Sequence, residues 1–286
     1  MPIISELVPL SMGQTQRLLK SLERWPRKQL GQNFLVDKNI VFKSLQWAQL
    51  LPGESVIEIG PGLGSLTRAL LGAHCHVFAI EYDKILYEFL KNELGHVSHF
   101  HLIEGDAVER PLAGFEGKGE FFKIVANLPY NISTPWLNAV LERPQLPFSM
   151  TLMLQREAAA RFLAQPGSKQ GAAISIFLRA AYVCRGTFPV ERTSFWPMPA
   201  VDSILVHFER LATPKLFCVE AKSLIRKIFT QRRKQIKGLI KLFLPRLSER
   251  IMELLLRHNL DPSLRPEQIP FHFWYNFDDL LRTSEQ

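Results

Sequence analysis

Cysteine is scarce in this sequence. Three stand among 286 residues, Cys75, Cys184 and Cys218, far apart and with no CxxC pair. That argues against a secreted disulfide scaffold and against a Cys-based zinc site, and it fits a reducing cytosol. Histidines gather at His74/His76 and at His96/His99/His101. No Cys, Asp or Glu completes a clear ligand set with them, so no metal is expected. Long apolar runs are missing as well: nothing approaches the roughly 18 residues of a membrane span. The clearest apolar run, 172–178, is strand-sized. Glu6 and polar residues interrupt any apolar core of a signal peptide, and Glu6 and Glu23 argue against a basic transit segment within 1–28. Internal repeats and low-complexity tracts are not visible. What is left is ordinary globular composition, 47% hydrophobic and 22% charged. Its length suits one large domain and a small one, and the expected location is the cytoplasm.

Charge is unevenly spread. The net charge is +8, yet residues 215–257 hold twelve Lys/Arg against three Glu, a local +9. The remainder of the chain therefore sums to −1. A second basic stretch, 17–43, has seven Lys/Arg against two acids. An excess held in one segment points to a polyanion, nucleic acid before an acidic membrane or protein surface. Arg232, Arg233, Lys234, Lys237 and Lys241 are the best candidates for RNA phosphates, against the plainer reading of a solvated helix face.

Helices are expected at 14–25 and 38–50. Strands and helices then alternate. Strands are read at 55–59, 75–80, 99–103, 122–126 and 149–154, and helices from Ser65, from Lys84 and over 156–164. Such alternation implies a parallel sheet with helices on both faces. Stretches 181–188 and 203–209 look like a closing hairpin. Helices 220–230, 232–243 and 247–258 follow, with a short segment after Pro270. The expected fold is α/β, Rossmann-like, over residues 1–212, with a small helical domain over 213–286.

Ligands of a doubly wound sheet bind beyond the carboxyl ends of its strands. Four such ends carry suitable chemistry here. Gly60 and Gly62, in GxGxG spacing, permit a tight turn and close approach. Glu58 beside them disfavours a pyrophosphate and tolerates a cation. Glu81 could hold both hydroxyls of a ribose, or simply begin the next helix. Asp106 could accept from an adenine amino group, or cap a helix. Asn127-Leu128-Pro129-Tyr130 closes the fourth strand; a plain turn does not need the tyrosine. Together they fit a nucleoside cofactor with a positive centre and no pyrophosphate. S-adenosylmethionine fits, and a nicotinamide cofactor fits worse.

The exocyclic nitrogen of adenine is a poor nucleophile because its lone pair is delocalised into the ring. Acceptors on its two hydrogens would free that pair. Asn127 Oδ1 and the carbonyl of Leu128 or Pro129 could serve. Tyr130 could stack on the base.

At these residues the chain resembles the ribosomal RNA adenine N6,N6-dimethyltransferases, and among them the bacterial small-subunit (16S) branch whose loss gives kasugamycin resistance. The likeness runs through LGQNFL at 30–35, EIGPGLGSLT at 58–67, Glu81, Gly105-Asp106, ANLPYNIST at 126–134 and LMLQREAAARF at 152–162. It continues through FWPMPAVDS at 195–203, QRRK at 231–234 and RPE at 265–267. The resemblance implies a class I S-adenosylmethionine-dependent methyltransferase acting on two adjacent adenosines in a loop near the 3′ end of 16S rRNA; a monomer is the default expectation. It also implies a role in ribosome biogenesis. It implies that Asn33 and Leu35 help enclose the cofactor, that Gly60, Glu81, Asp106 and Asn127 bind it, and that Tyr130 stacks on the target base. Phe195 is a candidate for the other face of that base. Gly238, where the family often has Asn, and the aromatic run 271–279 depart from the pattern. Competing readings are a large-subunit adenine methylase of the macrolide-resistance type, a DNA-adenine or protein-glutamine methylase, and a non-catalytic assembly or nucleic-acid-binding factor.

Overall fold

A computed structural model describes residues 7–117 and 121–284. Glu6, used above against a signal peptide, lies outside them. Nine strands run through the described residues: β1 (Phe34–Leu35), β2 (Ser55–Ile59), β3 (His76–Glu81), β4 (Phe100–Glu104), β5 (Phe122–Asn127), β6 (Ser149–Gln155), β7 (Tyr182–Val190), β8 (Phe195–Trp196) and β9 (Ser203–Arg210). Seven form one sheet in the order β4-β3-β2-β5-β6-β9-β7. The strands from β4 to β6 are parallel, and β9 pairs with β6 antiparallel, Leu152 opposite Val206. The central strands are buried along nearly their whole length, as expected where helices cover both faces of a parallel sheet. The 181–188 and 203–209 stretches are neighbouring strands at the sheet's end. The chain order reverses between β2 and β5. That switch point opens a crevice at the carboxyl edge.

By internal contacts the chain divides into two compact units, one of residues up to Ala159 with Cys184–Arg210, the other of Ala160–Val183 with the residues from Leu211 onward. The first unit holds the sheet. Its leading helix, Met12–Ser21, starts at a capping box in which Ser11 and Gln14 satisfy each other's backbone N–H groups. The two-residue β1 pairs with β8, Leu35 opposite Phe195.

The second unit is helical, with a core that includes Ile225, Leu239, Ile251, Phe273, Trp274 and Phe277. Two expectations are corrected in it, and one segment gains a structure. The strand-sized apolar run 172–178 falls in the helix Ala173–Ala181 and its N-cap, buried on nearly all sides. A continuous apolar run carries no period by which to tell the two apart. The helix expected over 232–243 begins at Ile236; residues 231–234 form a turn after the helix Val219–Thr230. Tertiary bonds hold that turn. Arg232 Nη1 donates to the Lys169 and Gly171 carbonyls, and its Nε lies 3.7 Å from Glu267. The short segment after Pro270 is a 14-residue helix, Phe271–Ser284, whose aromatic side chains fill the core. Among the described residues, no helix is long and apolar enough to cross a membrane.

Candidate active site

A cavity of about 300 Å³ lies at the switch point. That is enough for a nucleoside-sized ligand. Asn33, Leu35, Gly60, Gly62, Glu81, Asp106 and the four residues Asn127–Tyr130 all line it. Glu58 joins them. The lining thus carries three carboxyl side chains and no Lys or Arg.

The glycine turn brings two walls together. Gly60 and Gly62 both have φ +63°, a left-handed conformation that costs any other L-residue. A Cβ on Gly60 would sit 3.0 Å from Pro129 Cγ, and one on Gly62 would sit 3.1 Å from the Phe34 ring. The Gly62 N–H donates to Glu81 Oε2 at 2.9 Å, and the Asp83 N–H donates to Glu81 Oε1 at 2.8 Å. A carboxylate has about four acceptor positions, so room is left for two hydroxyl donors.

Burial dominates the acids. It pushes the Glu58 carboxyl up to about 8, with the nearby Glu81 charge adding. It pushes Glu81 up to about 7, against the pull of its backbone donors. Glu58 Oε2 is buried without a hydrogen-bond partner. A cationic ligand beside the unsatisfied oxygen would draw off the proton and pair with the carboxylate, which a phosphate could not do. Asp106 begins a turn and not a helix: its Oδ1 accepts from the Val108 N–H at 2.7 Å.

The Asn127–Tyr130 turn is fixed from three sides. Asn127 Nδ2 donates to the Asn33 carbonyl at 3.0 Å. A carbonyl can only accept, so this contact sets the amide's orientation and turns Oδ1 the other way. The Pro129 carbonyl accepts from the Ile132 N–H at 3.2 Å. The Tyr130 hydroxyl shares a 2.7 Å bond with Ser203 Oγ, and burial raises the phenol above its ordinary value.

The structure does not bring Phe195 to the cavity lining. Its ring is 1% exposed and packs in the first unit's hydrophobic core. Sequence reasoning passed over Leu30, Gly31 and Gln32 as lining residues, along with Ser203 behind Tyr130. The first three sit in a motif seen only through the resemblance, and the Ser203 contact spans 73 positions. Among the described residues, no group of three His, Cys, Asp or Glu could hold a metal ion.

A family profile described as ribosomal RNA adenine dimethylase matches residues 25–269. The chain belongs to that family. Dimethylases of this kind are S-adenosylmethionine-dependent methyltransferases, and the acidic cavity without a basic residue fits that cofactor. One relative is the ribosomal RNA small subunit methyltransferase A of Opitutus terrae, 50% identical over 93% of this chain and 97% of its own length. The protein of the same name from Pseudomonas aeruginosa is 38% identical over 85% of this chain and 90% of its own. Among solved structures, a dimethyladenosine transferase from Plasmodium falciparum shares the fold, with TM-score 0.72 and 23% identity over 88% of this chain and 98% of that one. The 23S rRNA methyltransferase ErmE superposes with TM-score 0.61 at 25% identity, covering 86% of this dimethylase and 100% of ErmE.

Proposed function

We propose that this enzyme dimethylates N6 of two adjacent adenosines in a loop near the 3′ end of 16S rRNA, as a cytoplasmic monomer acting on the assembling small ribosomal subunit. The observation that carries the reading is the acidic cavity at the switch point, with Asn127–Tyr130 as one wall. The small-subunit assignment is supported by the name of the 50%-identical relative.

S-adenosylmethionine, when bound, supplies a methyl group already activated on a sulfonium, so the transfer calls for no metal and no covalent enzyme intermediate. Glu81 would hold the ribose hydroxyls, and Asp106, through the oxygen not bonded to Val108, the adenine amino group. Gly60 and Gly62 let the backbone approach, Asn33 and Leu35 enclose the ligand, and Glu58 favours the cationic end. On the target side, Asn127 Oδ1 accepts one N6 hydrogen. The Leu128 carbonyl, or the second lone pair of the Pro129 carbonyl beside its bond to Ile132, takes the other. The nitrogen lone pair is thereby freed toward the methyl group. Tyr130, its hydroxyl pinned to Ser203, offers its ring face to the base; stacking of this kind is worth about 1–3 kcal/mol per base. Phe195, buried behind β1, supports Leu35 instead of meeting the base in this arrangement. On the second unit, Arg233, Lys234, Lys237 and Lys241 meet phosphates. Arg232 is spent on Lys169, Gly171 and Glu267 and acts by holding the turn.

The test is to incubate the protein and labelled S-adenosylmethionine with small subunits from a strain lacking the modification. Digestion and mass analysis then look for N6,N6-dimethyladenosine. The wild type should produce it. Asn127→Ala should lose about 10²–10³-fold in rate, the scale for removing one preorganised hydrogen-bonding group, while still binding the particle. No product from intact particles with cofactor bound would move the substrate to the large subunit or the role to binding alone.

A further inference from the structure

Asp83 caps the helix Lys84–Leu94: its Oδ1 accepts from the Ile85 N–H at 3.1 Å. A cap needs one oxygen. The other, Oδ2, takes Arg24 Nη2 at 2.6 Å and Gln32 Nε2 at 3.2 Å, from 59 and 51 positions away. The Asp83 side chain is only 2% exposed and that of Arg24 14%. Burial alone would raise the Asp83 carboxyl, but the donors from Arg24 and Gln32 bring it below its ordinary value.

The segment tied down in this way, residues 24–33, is built to be held at both ends. Gln32 Oε1 accepts from the Arg27 N–H at 2.9 Å, so both ends of the Gln32 amide are fixed. At its far end the segment meets the substrate turn. The Asn33 carbonyl accepts from Asn127, and the Gln29 carbonyl accepts from Asn131 Nδ2 at 3.2 Å. Gly31, at φ +64°, leaves no room for a side chain; a Cβ there would lie 3.1 Å from the Tyr130 backbone nitrogen. Asp83 in turn touches Glu81 through its own N–H.

We infer that Asp83 is a positioning residue, the clasp that holds residues 24–33 along the cavity wall and, through Asn33, sets the amide of Asn127. It touches neither the methyl donor nor the base. The inference rests on the reading that this cavity is the methyl-transfer site.

Asp83→Asn separates the clasp from the cap, because Asn caps helices as well as Asp does but cannot pair with a guanidinium charge. This variant and Arg24→Ala should remain folded but melt below the wild type, since each leaves a buried partner of the pair uncompensated. Asp83→Asn should be cut faster by trypsin after Arg24 and Arg27, and Arg24→Ala, which lacks the first site, after Arg27, with or without S-adenosylhomocysteine. Their kcat for methylation should fall about 10- to 100-fold, the cost of small misplacement at a reacting centre, with a smaller change in KM for the cofactor. The double variant should be no worse than the worse single one, since both remove one contact. Wild-type digestion and kcat in Asp83→Asn, additive losses in the double variant, or a lost kcat with unchanged digestion at 24–28 would each overturn the clasp. Calorimetry keeps the two readings apart. A wild type that binds no S-adenosylmethionine sinks the methyltransferase assignment and the clasp with it. A binding wild type beside an unaltered Asp83→Asn sinks the clasp alone.

Discussion

Two carboxyl groups in the cavity hold protons that a solvated acid would have lost. Glu58 is pushed up to about 8 and Glu81 to about 7, both chiefly by burial, whereas either ionises near 4.5 when unfolded. Between those values the folded chain binds more protons than the unfolded one. Stability from this source is therefore full below about 4.5 and declines as pH rises toward 8. Thermal melts from pH 5 to 8 should show a falling Tm, and Glu58→Gln should flatten the fall; an unchanged slope would mean that Glu58 is ionised in the fold. Ligand binding runs the opposite way. Hydroxyl donors on Glu81 and a sulfonium near Glu58 favour the charged acids, so affinity for S-adenosylmethionine should weaken below pH 7, by up to about tenfold per pH unit. Titration calorimetry in buffers of different ionisation enthalpy should record proton release on binding near pH 7.

At the scale of elements, the glycine turn makes the sharpest claim. Gly53 (φ +83°) and Gly62 (φ +63°) both need the left-handed region, but nothing lies within 4 Å of a Cβ on Gly53, whereas one on Gly62 meets Phe34. An alanine at either position should cost about 1–2 kcal/mol from the backbone. Only Gly62→Ala should also weaken cofactor binding, as equilibrium dialysis of the two variants would show. Equal binding by both would remove Phe34 and the turn from the cofactor's surroundings. Strand ends are legible because short apolar runs stop at Gly, Glu, Asp or Asn, and Gly60, Glu81, Asp106 and Asn127 all stand there. The helix Ala173–Ala181 was not legible, since burial on all sides erases its period. Nor was the break at 231–234, because Gln, Arg and Lys are good helix formers and the Arg232 contacts to Lys169, Gly171 and Glu267 that pin that turn come from distant positions. Nor was Asp83 legible as a clasp; its partners at 24 and 32 meet it only in the folded chain. Phe195 could be placed in a motif but not on a surface.

The whole molecule sorts its charge. The cavity at the switch point is lined by acids and by no Lys or Arg, while residues 215–257 carry the positive excess. In the helix Ile236–Phe243 the apolar Ile236, Leu239 and Ile240 are buried, and Lys237 and Lys241 are exposed on the other side. Binding to 16S rRNA fragments should weaken steeply with salt. Lys237→Ala and Lys241→Ala should each lower the slope of log affinity against log salt by about 1. Arg232→Ala should leave that slope nearly unchanged and loosen the 165–171 loop, visible as faster amide hydrogen exchange there. A full unit lost from the slope in Arg232→Ala would return that residue to the phosphate contacts.

The chain passes between its two units more than once: residues 160–183 belong with the helices, although 184–210 return to the sheet. The helical unit is consequently not a tail that can be cut off or transplanted at a single joint. A chain ended at 212 would keep the helix Ala173–Ala181 but lose Phe217, whose ring stands 5.2 Å from that of Phe177. It would display a bare apolar helix and tend to aggregate. A chimera that borrows this unit for another methyltransferase must carry two separate pieces of sequence, and recombination that shuffles it as one block has no clean place to break.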